Sequence, residues 1–269
     1  MSVENQALYL ISKVEEIEGR EIIKIYESMG YIPQTIRNLL SKLKREKYIT
    51  TPSRSVYSIT NSGKEFVKNM YVKENFYDKT WDNNWYIVLI GIPEVYRKKR
   101  DTFRKSLVDL GFGLLYNSVY ISPWDKIEAV MSLIDSLEIE EFVTILTTKN
   151  FIVNKIGSAG SAKINYPSNI WNLDEINLNY KKKFEYYKKE IEPSINKLIQ
   201  QDNIDALQIF IHYLEVSDLI HELLEKDPML PPEFLPPSWI GTNVLSTLYK
   251  IVGKLKPLIP KESIYSRFI

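Results

Sequence analysis

The stretch from Pro33 to Lys47 constrains this chain more than any other. Proline at a first helical position sacrifices no hydrogen bond, because the N–H it lacks would have no intrahelical partner there. Ile36, Leu39, Leu40 and Leu43 then recur at i, i+3, i+4 and i+7, one apolar stripe of a helix. The opposite face carries Gln34, Thr35, Arg37, Asn38, Ser41, Lys42 and Lys44. A helix of this kind must bury its stripe against a neighbour. Ile22, Ile23, Ile25, Tyr26 and Met29 mark a preceding helix that Gly30 stops, and Leu8, Ile11 and Val14 an earlier one. After Lys47 come two β-leaning runs, Tyr48 to Thr51 and Ser55 to Thr60, joined by Pro52-Ser53-Arg54 and closed by Asn61-Ser62-Gly63.

Helix, tight turn, polar-faced helix and hairpin, in that order, predict a winged helix-turn-helix that docks on double-stranded DNA. Arg37 and Asn38 are the candidates for base contacts, since Arg pairs with guanine and Asn with adenine through two hydrogen bonds each. Gln34, Thr35 and Ser41 assist them. Lys42, Lys44 and Arg54, the last on the wing tip, are expected on phosphates, which fix register without reading sequence, and Ser53 beside Arg54 is a further DNA-binding candidate. The competing reading is a solvated amphipathic helix, and the wing that follows argues against it. Charge agrees with the DNA reading. The whole chain nearly balances, with 35 Lys and Arg against 34 Asp and Glu. From Gly30 to Met70, however, Arg37, Lys42, Lys44, Arg45, Lys47, Arg54, Lys64 and Lys68 face only Glu46 and Glu65. Between Gln200 and Leu235 the sign reverses, with Asp202, Asp205, Glu215, Asp218, Glu222, Glu225, Asp227 and Glu233 against Lys226.

Lys64 to Glu74 reads as a short linking helix. A second unit opens at Trp81: an apolar strand from Trp85 to Ile92, an amphipathic helix from Glu94 to Leu110 ended by Gly111, a strand from Ser118 to Ser122, a helix from Asp125 to Leu137 and a strand from Phe142 to Thr148. With Phe112 to Leu115 extended as well, the order is βαββαβ, a ferredoxin-like arrangement. Asn154 to Pro167 has a linker's composition, and the remainder is helical: Leu173 to Ile191, Ser194 to Gln201, Ile204 to Leu224, a proline-dense loop, then Thr242 to Leu255. The expected fold class is α+β, divided at 1–75, 76–153 and 154–269.

Several chemistries find no footing in the residues. Without cysteine the chain has no disulfide, thiolate metal site or thiol nucleophile. Gly111-Phe112-Gly113 is followed by Tyr116 where a dinucleotide fingerprint needs its third glycine. His221-Glu222-Leu223-Leu224-Glu225 puts a glutamate where a zinc protease needs its second histidine. No cofactor or metal is expected, and the protein is read as a non-enzyme. No apolar run has the length of a membrane span, and Met1 to Arg20 lacks the pattern of a signal peptide, so the expectation is a cytoplasmic protein without membrane contact. The cluster Arg97-Lys98-Lys99-Arg100 with Arg104 and Lys105 sets Arg97, Arg100 and Arg104 along one helical face. It is a solvated face balanced by Asp101, an anion site for an effector carrying phosphates, or an extra DNA contact.

Three stretches resemble the PaaX family of bacterial repressors of phenylacetic acid catabolism. The first is Thr35 to Leu43 with Tyr48-Ile49-Thr50 and the hairpin Ser53 to Thr60. The second is Trp81-Asp82-Asn83-Asn84-Trp85 through Ile92-Pro93, then Leu110-Gly111-Phe112-Gly113 and Val119 to Pro123. The third and most specific runs from Asp227-Pro228-Met229 to Trp239-Ile240-Gly241. The resemblance implies a homodimeric transcriptional repressor that leaves its operator when an aryl-CoA thioester such as phenylacetyl-CoA binds. Candidate effector contacts are then Arg97, Arg100, Arg104, His212 and Trp239. The central unit is also similar to the Cas2 fold of CRISPR-associated nucleases, where an acidic residue ending the first strand would hold a metal. Gly91 stands at that position here, so the unit is read as structural and dimer-forming. Three departures accompany the resemblance. Tyr213-Leu214-Glu215 follows His212 where many relatives carry a basic pair, extra residues are read before Asp227, and the amino-terminal segment reads as short. The competing functional classes are a Cas2-like nucleic-acid processing factor and an assembly protein whose winged helix binds another protein.

Overall fold

The computed structural model describes residues 2–70, 77, 79–152, 156, 167–201 and 205–269. The chain gathers into two compact units, one of residues 1–74, 182–222 and 243–269, the other of residues 75–181 and 223–242. The fold is α+β with a small sheet in the first unit and a larger one in the second.

The first unit begins with α1 (Val3–Ser12), β1 (Ile17–Glu18), α2 (Gly19–Ser28) and α3 (Pro33–Arg45). Ser2 caps α1 by accepting from the Asn5 N–H, and the Glu21 carboxylate accepts from the Glu18 N–H at the start of α2. Gly30, at φ +88°, ends α2 in the left-handed region, with its N–H on the Glu27 carbonyl and that of Tyr31 on Tyr26. Pro33 then opens α3 in its first turn, as the residue type predicts. Next come β2 (Ile49–Thr50), β3 (Val56–Ile59) and α4 (Asn61–Met70). The strand order is β1-β3-β2, antiparallel throughout, with Ile17 opposite Tyr57 and Ile49 opposite Ile59. The two-residue strand β1 adds a third member to the hairpin expected from the sequence.

Asn61-Ser62-Gly63, read as the hairpin's closing turn, is instead the first turn of α4. Thr60 causes this. Its hydroxyl donates to the Lys47 carbonyl at 2.6 Å and accepts from the Gly63 N–H at 3.1 Å, a helix cap. Gly63 lies so close to the Tyr48 carbonyl that no Cβ fits there. The reading of a linking helix as far as Glu74 extends past Met70 outside the described residues.

In the second unit β4 (Trp85–Ile90), α5 (Arg97–Asp109), β5 (Gly113–Tyr116), β6 (Val119–Ser122), α6 (Ile127–Leu137) and β7 (Val143–Thr148) follow the βαββαβ order. The sheet order β5-β6-β4-β7, with every neighbour antiparallel, is the ferredoxin-like one. Strand β4 is apolar on both sides because both faces of the sheet are covered. Tyr86, Val88 and Ile90 pack with Phe103, Leu107, Val130 and Ile134 of the two helices. Trp85 and Ile87 point the other way, into a cluster with Ile121, Trp171, Leu230 and Phe234. The Trp81 ring meets Phe234 edge to face at 4.7 Å, and Trp85 lies 4.9 Å from the same ring.

Helices α7 (Pro167–Trp171), α8 (Leu173–Tyr186), α9 (Glu192–Ile199), α10 (Ala206–Lys226) and α11 (Gly241–Leu255) complete the molecule. Tyr187–Ile191 forms a π-helical turn that leads directly into α9, where the sequence pattern suggested a break after Ile191. Pro193 accounts for the widened turn: it has no N–H to give the Lys189 carbonyl, and its ring would crowd that carbonyl in a regular helix. Most of the predicted 154–167 linker falls outside the described residues.

The proline-dense segment after α10 is organised by Asp227, which is 1% exposed. Its Oδ2 accepts from the Tyr77 hydroxyl at 2.6 Å and the Tyr180 hydroxyl at 2.5 Å, and its Oδ1 accepts from the Met229 N–H at 2.8 Å. Asn177 brackets the far end, donating to the Ser238 carbonyl and accepting from the Ile240 N–H. A buried carboxyl group with donors on both of its oxygens is tolerated where an unpaired one would not be.

Candidate nucleic-acid interface

The apolar stripe of α3 is buried as its spacing requires: Ile36, Leu39, Leu40 and Leu43 are inside, along with Ile22, Ile25 and Tyr26 of α2. Gln34, Thr35, Arg37, Asn38, Ser41, Lys44 and Arg45 are exposed, a continuous polar face. Two hydrogen bonds organise it. Gln34 Nε2 donates to Asn38 Oδ1 at 3.0 Å, and the Ser41 hydroxyl donates to the Arg37 carbonyl at 2.8 Å. Among the described residues Arg37, Lys44 and Arg45 have no ion-pair partner, so their charges face outward. The turn before the helix presents Ile32, 69% exposed, an apolar side chain that the sequence reading passed over.

The hairpin places Ser53 and Arg54 at its tip, both exposed, in a turn where the Val56 N–H donates to the Ser53 carbonyl and Ser55 takes φ +60°. Strands β2 and β3 follow α3 directly, so the tip and the polar face of α3 belong to one continuous stretch of chain.

Lys42 differs from its neighbours. Its ammonium donates to both carboxylate oxygens of Glu4, at 2.8 and 2.7 Å, and hydrogen bonding to Glu4 raises the lysine pKa above its ordinary value. Glu4 lines a surface groove together with Ser2, Tyr31, Thr35, Asn38 and Lys42. Sequence reasoning missed Glu4 altogether. Thirty-eight residues separate it from Lys42, and no local spacing links them.

The arginines of the second basic cluster are held by acids and carbonyls. Arg97 lies 3.8 Å from Glu94 and 3.6 Å from Asp101. Arg100 reaches Glu94 at 2.8 Å, and Arg104 donates to the Asn117 carbonyl at 3.2 Å. His212, in the first unit, pairs through Nδ1 with Glu215 at 2.7 Å. Trp239, in the second, donates to the Tyr77 hydroxyl at 3.2 Å and meets Tyr180 edge to face. The five effector candidates therefore divide between the two units, and each has a partner within the chain. Of the rejected zinc motif, His221 is half-buried and pushed down to about 4, chiefly by desolvation, and Glu222 is bonded to Lys183. Among the described residues no group of three or more histidines and carboxylates is placed to hold a metal, and no helix is long and apolar enough to cross a membrane.

Two family models match this chain in tandem: the PaaX protein central Cas2-like domain over residues 78–159 and the PaaX-like protein C-terminal domain over residues 171–260. The chain belongs to the PaaX family. This family member is 23% identical over 248 residues to the transcriptional repressor PaaX of Escherichia coli (strain K12), an alignment covering 90% of this chain and 75% of that protein. A solved structure described as uncharacterized protein Rv0674 from Mycobacterium tuberculosis superposes with a TM-score of 0.57 at 16% identity, covering 89% of this chain and 88% of that one, a likeness of fold. In the Cas2-like domain of this PaaX-family chain, the position that the sequence comparison gave to a metal-holding acid is Gly91. It has no side chain to ligate with, and its N–H donates to the Phe142 carbonyl at 2.7 Å.

Proposed function

We propose that this protein is a DNA-binding transcriptional regulator, a repressor whose α1 to β3 segment is a winged helix-turn-helix. The observation that carries the reading is the two-sided character of α3. Four apolar side chains lock it to the body, while Arg37 and Asn38 stand exposed at the centre of a polar face with neutral hydrogen-bonding neighbours on either side. In the major groove Arg37 and Asn38 read base edges, assisted by Gln34, Thr35 and Ser41. Lys44, Ser53 and Arg54 hold the phosphate backbone. The name of the Escherichia coli relative, a transcriptional repressor, supports the same reading. The function is carried out as a homodimer, so that two recognition helices meet two half-sites. An acyl-CoA thioester of the phenylacetyl class, the effector the family resemblance implies, releases DNA by favouring a dimer geometry that no longer fits the half-site spacing.

Mobility-shift titration on the DNA upstream of its own gene tests the proposal. A complex that weakens with salt and prefers some sequences over others is expected. Binding indifferent to both would refute it.

A further inference from the structure

We infer that Glu4 is an affinity-setting residue: it withholds Lys42 from the DNA backbone, so that α3 meets a duplex with one phosphate contact fewer than its sequence offers. The inference rests on the DNA-binding reading above and deepens it.

The observations are geometric. Lys42 is one helical turn beyond Asn38 on α3, and in sequence it ranks with Lys44 as a phosphate ligand. In the structure its ammonium sits on both oxygens of Glu4, in the first turn of α1. Ser2 caps that turn by accepting from the Asn5 N–H. The side chains of Lys42 and Glu4 are 40% and 38% exposed, so the pair is at the surface within reach of a docking polyanion. It is in competition with phosphate for the same ammonium. A pair this exposed contributes little to folding. Its electrostatic consequence for a polyanion is larger. The pair carries no net charge where the unpaired lysine would carry one, and a carboxylate beside the groove repels phosphate. Arg37, Lys44 and Arg45, on the same helix, have no such restraint among the described residues.

Counterion release makes the idea measurable. Each lysine that neutralises a phosphate steepens the fall of log K with log salt by roughly 0.9. The experiment is a fluorescence-anisotropy titration of the full chain with one labelled duplex at several salt concentrations, on wild type, Glu4→Gln, Lys42→Ala and the double variant. Circular dichroism checks that each is folded. Glu4→Gln is expected to bind more tightly and to acquire a steeper slope, losing roughly threefold more affinity than wild type between 50 and 200 mM salt. Lys42→Ala alone should keep the wild-type slope, because the wild-type lysine is already engaged, and the double variant should return to it. A Glu4→Gln slope equal to wild type, or a Lys42→Ala slope shallower by about 0.9, would overturn the inference while leaving the DNA-binding reading intact. No salt-dependent binding by wild type to any duplex would remove both. If Glu4→Gln perturbs the fold, Glu4→Ala in its place provides the same comparison.

Discussion

The side-chain amide of Gln6, in α1, donates a 2.6 Å hydrogen bond to Asp218 Oδ2, in α10. Gln6 is itself buried, and burial, reinforced by the charges of Glu222 and Glu215, pushes the Asp218 carboxyl up to about 7. The helix that precedes the proposed reading head is thus tied to the body through a group that ionises near neutrality.

The sign of the pH effect follows from that shift. Unfolded, Asp218 ionises near pH 4; folded, it keeps its proton to about 7. Its contribution to stability is complete below about pH 4 and is lost as pH rises towards 7, an effect of order 4 kcal/mol at most. His221 works in the opposite sense, because its folded value of about 4 lies below the ordinary one. Asp218→Asn isolates the carboxyl: its melting temperature should match wild type only at about pH 4 and below, and exceed it by a growing margin as pH rises towards 8. Parallel pH profiles for the two proteins would contradict this.

Arg37→Ala should cost roughly 1–3 kcal/mol of binding to the preferred sequence and relax the preference at one base position. Lys44→Ala should weaken all duplexes alike and reduce the salt slope by about 1. Competition titrations with single-base variants of the preferred site distinguish the two outcomes.

Asp227→Ala removes the acceptor from the Tyr77 and Tyr180 hydroxyls and the Met229 N–H. Losing the acceptor of a buried hydrogen bond costs about 1–3 kcal/mol, so a clear loss of stability is expected. Urea denaturation followed by circular dichroism measures it. Asp227→Asn, which keeps one acceptor oxygen, should recover part of the loss.

Gly113 opens β5 directly against Ile170 and Trp171, where an added Cβ would overlap both side chains. Gly113→Ala should destabilise by roughly 1–3 kcal/mol, because the indole is fixed by its hydrogen bond to the Gly111 carbonyl and cannot yield freely. A thermal melt indistinguishable from wild type would show that the cluster around Trp171 repacks.

A panel of acyl-CoA esters in a thermal-shift assay addresses the effector. Any ester that prefers the folded protein raises the melting temperature in proportion to the logarithm of its concentration. A phenylacetyl-type thioester is expected to do so and simple acetyl-CoA to do so less.

The legible parts of this molecule were those in which one period dominates. The 36, 39, 40, 43 stripe of α3 and the apolar run of β4 each specify an element from local sequence alone, and both are present. What escaped reading depends on partners distant in sequence. Two residues cannot show a period, so β1 is visible only through its pairing with Val56 and Tyr57. The start of α4 is fixed by Thr60 reaching back to Lys47, which outweighs the turn preference of Asn-Ser-Gly. Among the interface candidates, Arg37 and Asn38 stand where the helical period puts them. The restraint on Lys42 comes from another helix and has no local signature.

All five tryptophans, Trp81, Trp85, Trp124, Trp171 and Trp239, lie in the unit that contains the four-stranded sheet, and the unit bearing α3 has tyrosine and phenylalanine in their place. Indole emission excited at the red edge of protein absorption is therefore a native optical label for one unit alone. Paired with a signal from the whole backbone, it resolves whether the two units melt together or in sequence, without a dye or a tag.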